Sequence, residues 1–369
     1  VGEAEPGLMG KLSGIRVVDL TMFLPGPMLS LMMAEQGAEV IKVEPPAGDP
    51  ARDQAPFAGG HSIWFANLNR GKRSVVLDLK TAEGKADLTE LVRGADVFLE
   101  GFRPGVMARL GFGWDTVRAL NPRIIYCSLS AFGQQGALAD HPAHDMAVQA
   151  LAGTLSVNDA GDGHPAVPGV PASDVAAGLT GLAAVLMALI GRERTGQGDH
   201  VDIAMLDSLL PWTAHIAGRA LAGGPAPTSA DQRSLGGAAF YNVYQCADGR
   251  HVVLGGREIK FAKSLLGALG RPDLVPLAEA EAGPAQAPLV AFLRETFATR
   301  TRPEWEAFMA DLDVAFAPVL DFAEAYAAPH IAQHRLLVTD DGIPHIAPAI
   351  RFASDSAWHP GPVPSLGGP

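Results

Sequence analysis

Short apolar runs bounded by Gly or Pro alternate along the first half of the chain with longer stretches of helical period. Gly14 to Leu20 reads as a buried strand, and Pro25-Gly26-Pro27 launches a helix over Met28 to Gln36 that Gly37 ends. Glu39 to Glu44 is a second strand stopped by Pro45-Pro46, so the first unit is β-α-β with right-handed parallel pairing as the default. The basic turn Leu68 to Arg73 feeds a strand over Ser74 to Leu79, and an amphipathic helix runs from Thr81 to near Gly94. Strands over Asp96 to Glu100, Arg123 to Ser130 and Val201 to Met205 follow, separated by helices that begin at Phe102 to Gly105 and at Gly113 to Asp115. This pattern predicts a doubly wound α/β domain.

The pattern then changes. Leu206 to Leu221 is a long apolar helix, 222–237 is rich in Gly, Pro, Ala and Ser and reads as a linker, and a hairpin follows with Phe240 to Cys246 and His251 to Leu254 around Ala247-Asp248-Gly249-Arg250. Helices at Ile259 to Leu269, Gln286 to Phe297 and Arg302 to Leu312 complete a smaller α+β domain over 238–326. The tail, 327–369, has little periodicity and is expected to pack back as an extended arm on the large domain, 1–221. Val1 to Gly10 reads as a leader without order. The uncharged run Val175 to Gly191 is barely long enough to cross a bilayer and is expected to be a buried core helix.

A composition of 48% hydrophobic and 18% charged residues suits a globular chain with a sizeable core. The formal net charge of -12 argues against nucleic acid or an anionic membrane as partner, while leaving room for a local basic pocket. Cys127 and Cys246 stand far apart without partner motifs, so neither a disulfide framework nor a metal site is expected, and a cytoplasmic setting fits. The strand-to-helix turns carry no complete dinucleotide, Walker or nucleophile-elbow motif.

The candidate chemistry gathers between Ala143 and Gly178, where His144-Asp145 opens one helix and Pro171-Ala172-Ser173-Asp174 opens another. His144 suits a general acid or base, and equally a surface or capping histidine; Asp174 suits a catalytic carboxylate, and equally a helix cap. Glu258 follows a strand and two glycines, as a solvated loop carboxylate also would. Lys72, Arg73, Arg103 and Arg109 fall on loops or first turns near strands, where a doubly wound fold holds an anionic ligand. From the residues alone this is an α/β ligand-binding enzyme of unnamed chemistry.

Taken together, Leu12 to Leu20, Pro25-Gly-Pro27, Gly37 to Glu44, Asn69 to Ser74, Phe102 to Gly105, Leu120 to Arg123, Thr195 to Gly198 and Ala247 to Gly249 resemble the class III CoA-transferase superfamily, over nearly the whole chain. The resemblance implies a Rossmann-like large domain plus a smaller domain, two chains interlocked as a homodimer, and an acyl-CoA substrate with no cofactor beyond its coenzyme A moiety. It places CoA contacts at Phe23, Leu24, Pro25, Lys72, Arg73, Arg103 and Arg109; Pro45 stands where many relatives have Arg, which removes one expected nucleotide contact. Asp174 matches the catalytic aspartate, a nucleophile toward the thioester in the transferases and one base of a pair in the α-methylacyl-CoA racemases. His144, followed by Asp145, matches the racemase's second base, and Glu258 a carboxylate that orients it; Met146 to Gln149 and Val175 to Gly178 match the transferases better. Two-base racemisation of 2-methylacyl-CoA thioesters is therefore the preferred expectation, with CoA transfer to a free acid through an aspartyl-CoA on Asp174 as the alternative. The acyl chain is not specified, although Met22, Phe23, Met107, Phe240 and Tyr241 are candidates for an apolar channel.

Overall fold

The structure, a computed structural model, describes residues 10–159, 164–353 and 358–368; all but the last residue of the expected leader lies outside them. The chain divides into two compact units, one of Val1–Ala152, Gly169–Pro211 and Ala328–Pro369, the other of Gly153–Pro168 and Trp212–Ala327.

The first unit is built on a parallel sheet of β1 (Arg16–Asp19), β2 (Glu39–Glu44), β3 (Arg73–Val76), β4 (Val97–Glu100), β5 (Ile125–Ser130) and β6 (Asp199–Ala204), in the order β3-β2-β1-β4-β5-β6. Between them run α1 (Pro25–Ala34), α2 (Ile63–Asn69), α3 (Ala82–Arg93), α4 (Val106–Leu110), α5 (Trp114–Leu120), α6 (Asp145–Leu151) and α7 (Ala172–Thr195). This is a Rossmann-like order, which reverses between β1 and β4; ligands of such sheets bind beyond the carboxyl ends of the strands at that reversal. Side chains of a strand alternate between faces. Val17, Val97 and Cys127 therefore pack with Leu29 and Met33 of α1 and Ala177 and Val185 of α7, whereas Val18, Phe98 and Tyr126 pack with Leu88 of α3, Met107 of α4 and Val117 of α5.

Helix α7 sends Ala177, Leu182, Val185 and Leu189 into the core, yet Leu179, Met187 and Ile190 on its other side are 38%, 70% and 64% exposed. It is the one described helix long and apolar enough to cross a membrane by length and composition. The expected helix over Leu206 to Leu221 is broken into α8 (Met205–Leu209), a 3-10 turn (Leu210–Thr213) and α9 (Ala214–Leu221), because Pro211 has no N–H to continue the helical ladder. The division between the units falls at the same proline, ten residues before the expected boundary.

In the second unit β7 (Tyr241–Gln245), β8 (His251–Gly255) and β9 (Phe316–Pro318) form an antiparallel sheet in the order β9-β8-β7. Helices α10 (Ile259–Ala268), α11 (Val275–Glu279), α12 (Ala287–Phe297) and α13 (Arg302–Met309) enclose Tyr244, Leu254, Leu265, Leu293 and Trp305, and α14 (Phe322–Ala327) follows. Residues 222–237, expected as a linker, are part of this unit: Arg219 pairs with Asp231, Gly283 N–H donates to Gly237 O, and Gly237 is buried. The tail is more structured than an extended arm, with α15 (Pro329–Gln333) and a hairpin of β10 (Leu337–Asp340) and β11 (Ile343–Ile346). Its last residues run beside the sheet's edge strand β3: Gly71 N–H donates to Pro362 O at 2.8 Å, Ser74 N–H to Gly368 O at 2.9 Å, and Arg52 Nη1 to Pro364 O at 2.9 Å.

A buried charge network fixes the chain as it leaves β1. Asp19 accepts from Thr21 N and Ser30 Oγ at 2.8 and 2.5 Å and pairs with Lys72, whose Nζ also donates to Asn69 Oδ1 at 2.8 Å and Pro27 O at 3.0 Å. Lys42 donates to Thr21 O at 2.9 Å and pairs with Asp49; the Lys72, Lys42, Asp19 and Asp49 side chains are all fully buried. Thr21 presses against the start of α1 so closely that a Cβ at Gly26 would stand 2.3 Å from its side chain. Removing one member strands the others in low dielectric. Lys72→Met is expected to lower unfolding stability by about 3–5 kcal/mol, and the equivalent change at exposed Arg73 by no more than about 0.5 kcal/mol, in denaturant titrations.

Candidate active site

The first turn of α7 lacks an ordinary cap. Its N-cap is Pro171, which has no side-chain acceptor, so the backbone N–H groups of Ser173 and Asp174 need a partner from elsewhere. Asp145, the first residue of α6, supplies it. Its Oδ1 accepts from Ser173 N at 2.8 Å, Ser173 Oγ at 2.6 Å and Asp174 N at 3.3 Å, and its Oδ2 from Gln149 Nε2 at 2.7 Å. Ser173 and Gln149 are buried, so the bracket between α6 and α7 is shielded from water.

Asp174 thus lies inside the first turn and is not the cap that its sequence context also allowed. Its half-buried carboxylate makes no hydrogen bond among the described residues, and burial, followed by the negative charge of Asp145, pushes its pKa up to about 6. One turn further, Gly178 meets the start of α1: a Cβ there would stand 2.9 Å from Pro25 O and 2.5 Å from Met28 Cε. The loop of Phe23, Leu24 and Pro25 is thereby brought beside the start of α7.

Phe23 adopts a left-handed backbone (φ 64°), uncommon for an aromatic residue, and is 39% exposed. That ring meets His144 edge-on at 6.5 Å and Trp64 of α2 at 6.2 Å between centroids. His144 is the N-cap of α6, exposed, and makes no side-chain cap. A half-buried carboxylate, an exposed imidazole and an aromatic rim therefore share one neighbourhood, at the carboxyl side of the sheet.

Several expected residues fall elsewhere or act differently. Asp145, expected among the acid/base groups, is saturated with donors and holds α7. Lys72, expected on a basic rim, is buried against Asp19 because it faces α1. Arg73 pairs in register with Ile41 and so shares the opposite face, that of Met107 in α4. Arg73, Arg103 and Arg109 are exposed and without an ion pair among the described residues. Glu258 belongs to the second unit, where it is the exposed N-cap of α10. There Arg257, with His215, Arg219, Arg233 and Glu281, also lines a pocket of about 410 Å³. Met107 and Phe240, proposed for an apolar channel, are core residues at 4% exposure. Gln149, Ser173 and Trp64 were not singled out from the sequence; the missing cap at Pro171 was the available signal.

Residues 12–368 match the family model described as CoA-transferase family III. Acetyl-CoA:oxalate CoA-transferase of Acetobacter aceti is 37% identical over 346 residues, 90% of this chain and 87% of the relative. Succinyl-CoA:mesaconate CoA-transferase of Haloarcula hispanica is 33% identical over 372 residues, 98% of this chain and 93% of the relative. The crystal structure of a CAIB/BAIF family protein from Brucella suis superposes with a TM-score of 0.84 at 30% identity, covering 97% of each chain. These named relatives are transferases, and the preferred expectation of racemase chemistry, drawn from His144 and Glu258, finds no support in them.

The shifted carboxylate has a consequence for stability. With its folded-state pKa at about 6, above the ordinary 3.8, Asp174 holds a proton in the native state that the unfolded chain has already lost, so stability falls as pH rises through that window. Asp174→Asn is expected to raise stability by on the order of 2 kcal/mol at about pH 8 and to leave it unchanged below about pH 4, measured by denaturant titration at both values.

Proposed function

The chain belongs to CoA-transferase family III, and from that premise we propose that it moves coenzyme A from an acyl-CoA to a free carboxylic acid with Asp174 as nucleophile. The observation that carries this is the Asp174 carboxylate itself: held at a braced helix start, half-buried, and hydrogen-bonded to no described residue. A carboxylate tied up by donors is a poor nucleophile, and one freely hydrated must shed water before attack.

In the proposed cycle an Asp174 oxygen bonds to the thioester carbonyl carbon, the C–S bond breaks, and CoA leaves as thiolate, giving a mixed anhydride on Asp174. The thiolate then attacks the aspartyl carbonyl, which releases the donor acid and leaves an aspartyl-CoA thioester. The acceptor carboxylate attacks that thioester carbonyl, its C–S bond breaks and a second anhydride joins Asp174 to the acceptor; the expelled thiolate then attacks the acceptor's carbonyl carbon, forming the product thioester and releasing Asp174 as a carboxylate. No net proton is required, which suits a site where the His144 side chain makes no hydrogen bond among the described residues. Phe23, Leu24 and Pro25 are proposed to border the CoA thioester, with Arg73, Arg103 and Arg109 meeting its phosphates. Oxalate and mesaconate, the acids in the relatives' names, are dicarboxylic, so a short dicarboxylic acid is proposed as acceptor.

We also assign a homodimer to this function. The exposed apolar side of α7, with Leu179, Met187 and Ile190, is the support: a helix apolar on every side is ordinarily covered on every side.

The test is CoA transfer from acetyl-CoA or succinyl-CoA to a panel of mono- and dicarboxylic acids. Asp174→Ala is expected to abolish it, while His144→Ala retains transfer within about tenfold. Exchange of the α-proton of a 2-methylacyl-CoA with solvent deuterium, dependent on His144 and without transfer to any acid, would instead establish racemisation. Arg103→Ala is expected to raise KM for the thioester roughly tenfold with kcat little changed, as loss of one phosphate contact requires.

A further inference from the structure

We propose that Asp145 is a positioning residue for Asp174: seated on α6, its carboxylate replaces the missing cap of α7 and stands as a fixed negative charge beside the nucleophile, keeping it aimed and reactive. The inference rests on the acyl-transfer role given to Asp174 and adds a residue that does not itself touch the reacting atoms.

Geometry carries it. Four donor contacts converge on the two oxygens of Asp145, three from the start of α7 and one from Gln149 in the next turn of α6. Gln149 Nε2 is also 3.3 Å from Val170 O, just before α7, so the brace extends across the junction. Donors converging on both oxygens hold the carboxylate in one place and orientation. Asp174 lies beside that charge, accepts no hydrogen bond on its carboxylate among the described residues, and bears the repulsion.

Other ionisable groups on elements packed against α7 are His144 on α6, Asp207 on α8, Tyr126 and Cys127 on β5, and Asp199, His200 and Asp202 on β6; α1 carries none. Among them Asp145 is the group whose charge bears on Asp174. For the chemistry the consequence is direct. Carboxylate nucleophilicity rises with basicity, and a group titrating near pH 6 remains mostly ionised at neutral pH. When the Asp174 oxygen bonds to the carbonyl carbon and the C–S electron pair leaves with sulfur, Asp145 neither gains nor loses a proton; it holds the helix still.

The experiment is a carbon-13 titration of carboxyl-labelled aspartate in the full chain, with the Asp174 resonance assigned as the one missing from Asp174→Asn. In the wild type it is expected to titrate near pH 6 and in Asp145→Asn about one unit lower. Over the same variants kcat for transfer is expected to fall roughly 3- to 10-fold at neutral pH with KM unchanged, and its acidic limb to move with the titration. Asp145→Asn keeps an acceptor for α7 and is expected to melt close to the wild type. Asp145→Ser, a shorter neutral acceptor, is the second variant should the first not fold, with the same downward movement expected. An unchanged Asp174 titration in either folded variant overturns the proposal. Because the titration needs no turnover, absence of CoA transfer in the wild type would defeat the functional reading and leave this inference separately decided.

Discussion

The hydrogen bonds from the first turn of α7 to the side chain of Asp145 are the constraint on which the site depends. A helix that starts at a proline without a capping side chain needs an acceptor from outside, and here a neighbouring helix provides one. Two carboxylates are thereby placed next to each other with unequal fates. Asp145 receives the donors; Asp174 is left with burial and a negative neighbour, and its proton affinity rises. The raised proton affinity of Asp174 comes first from its burial and then from the neighbouring charge of Asp145.

The same unit organises its other loop by burying charge. Asp19, Lys72 and Lys42 bind the chain leaving β1 from below, which leaves Phe23 exposed in a left-handed backbone against His144 and Trp64. Lys72 and Arg73 show how one residue of offset decides between roles, for they lie on opposite faces of the sheet. Lys72 faces α1 and becomes structural, and Arg73 faces α4 and stays available at the surface. A stretch that reads as one basic turn therefore divides into a buried strut and an exposed cation.

The alternation of apolar runs and helices was enough to place the parallel sheet and its crossovers, because strands buried on both faces leave a signal that owes little to distant contacts. It was not enough for the junctions. The break at Pro211, the hairpin of β10 and β11 in the tail, and the packing of 222–237 all rest on contacts between residues far apart in the chain or on a single proline within an apolar run. In the site, Asp174 stood out by its place before an apolar helix, but its cap-like context hid the fact that Asp145 performs the capping. Lys72 was misplaced on the rim because composition does not reveal which face a side chain takes. His144 carried the racemase expectation on residue type and position, and the named relatives, which are transferases, give that expectation no support.

The central claim is that Asp174 becomes covalently joined to substrate. Its most direct test is intact-protein mass spectrometry, with peptide mapping, of the wild-type chain incubated with an acyl-CoA in the absence of any acceptor acid and quenched in acid. The account predicts a mass increase equal to CoA less water, located at Asp174. An unmodified Asp174 under conditions where transfer to an acid proceeds, or an adduct mapped to another side chain, would contradict it.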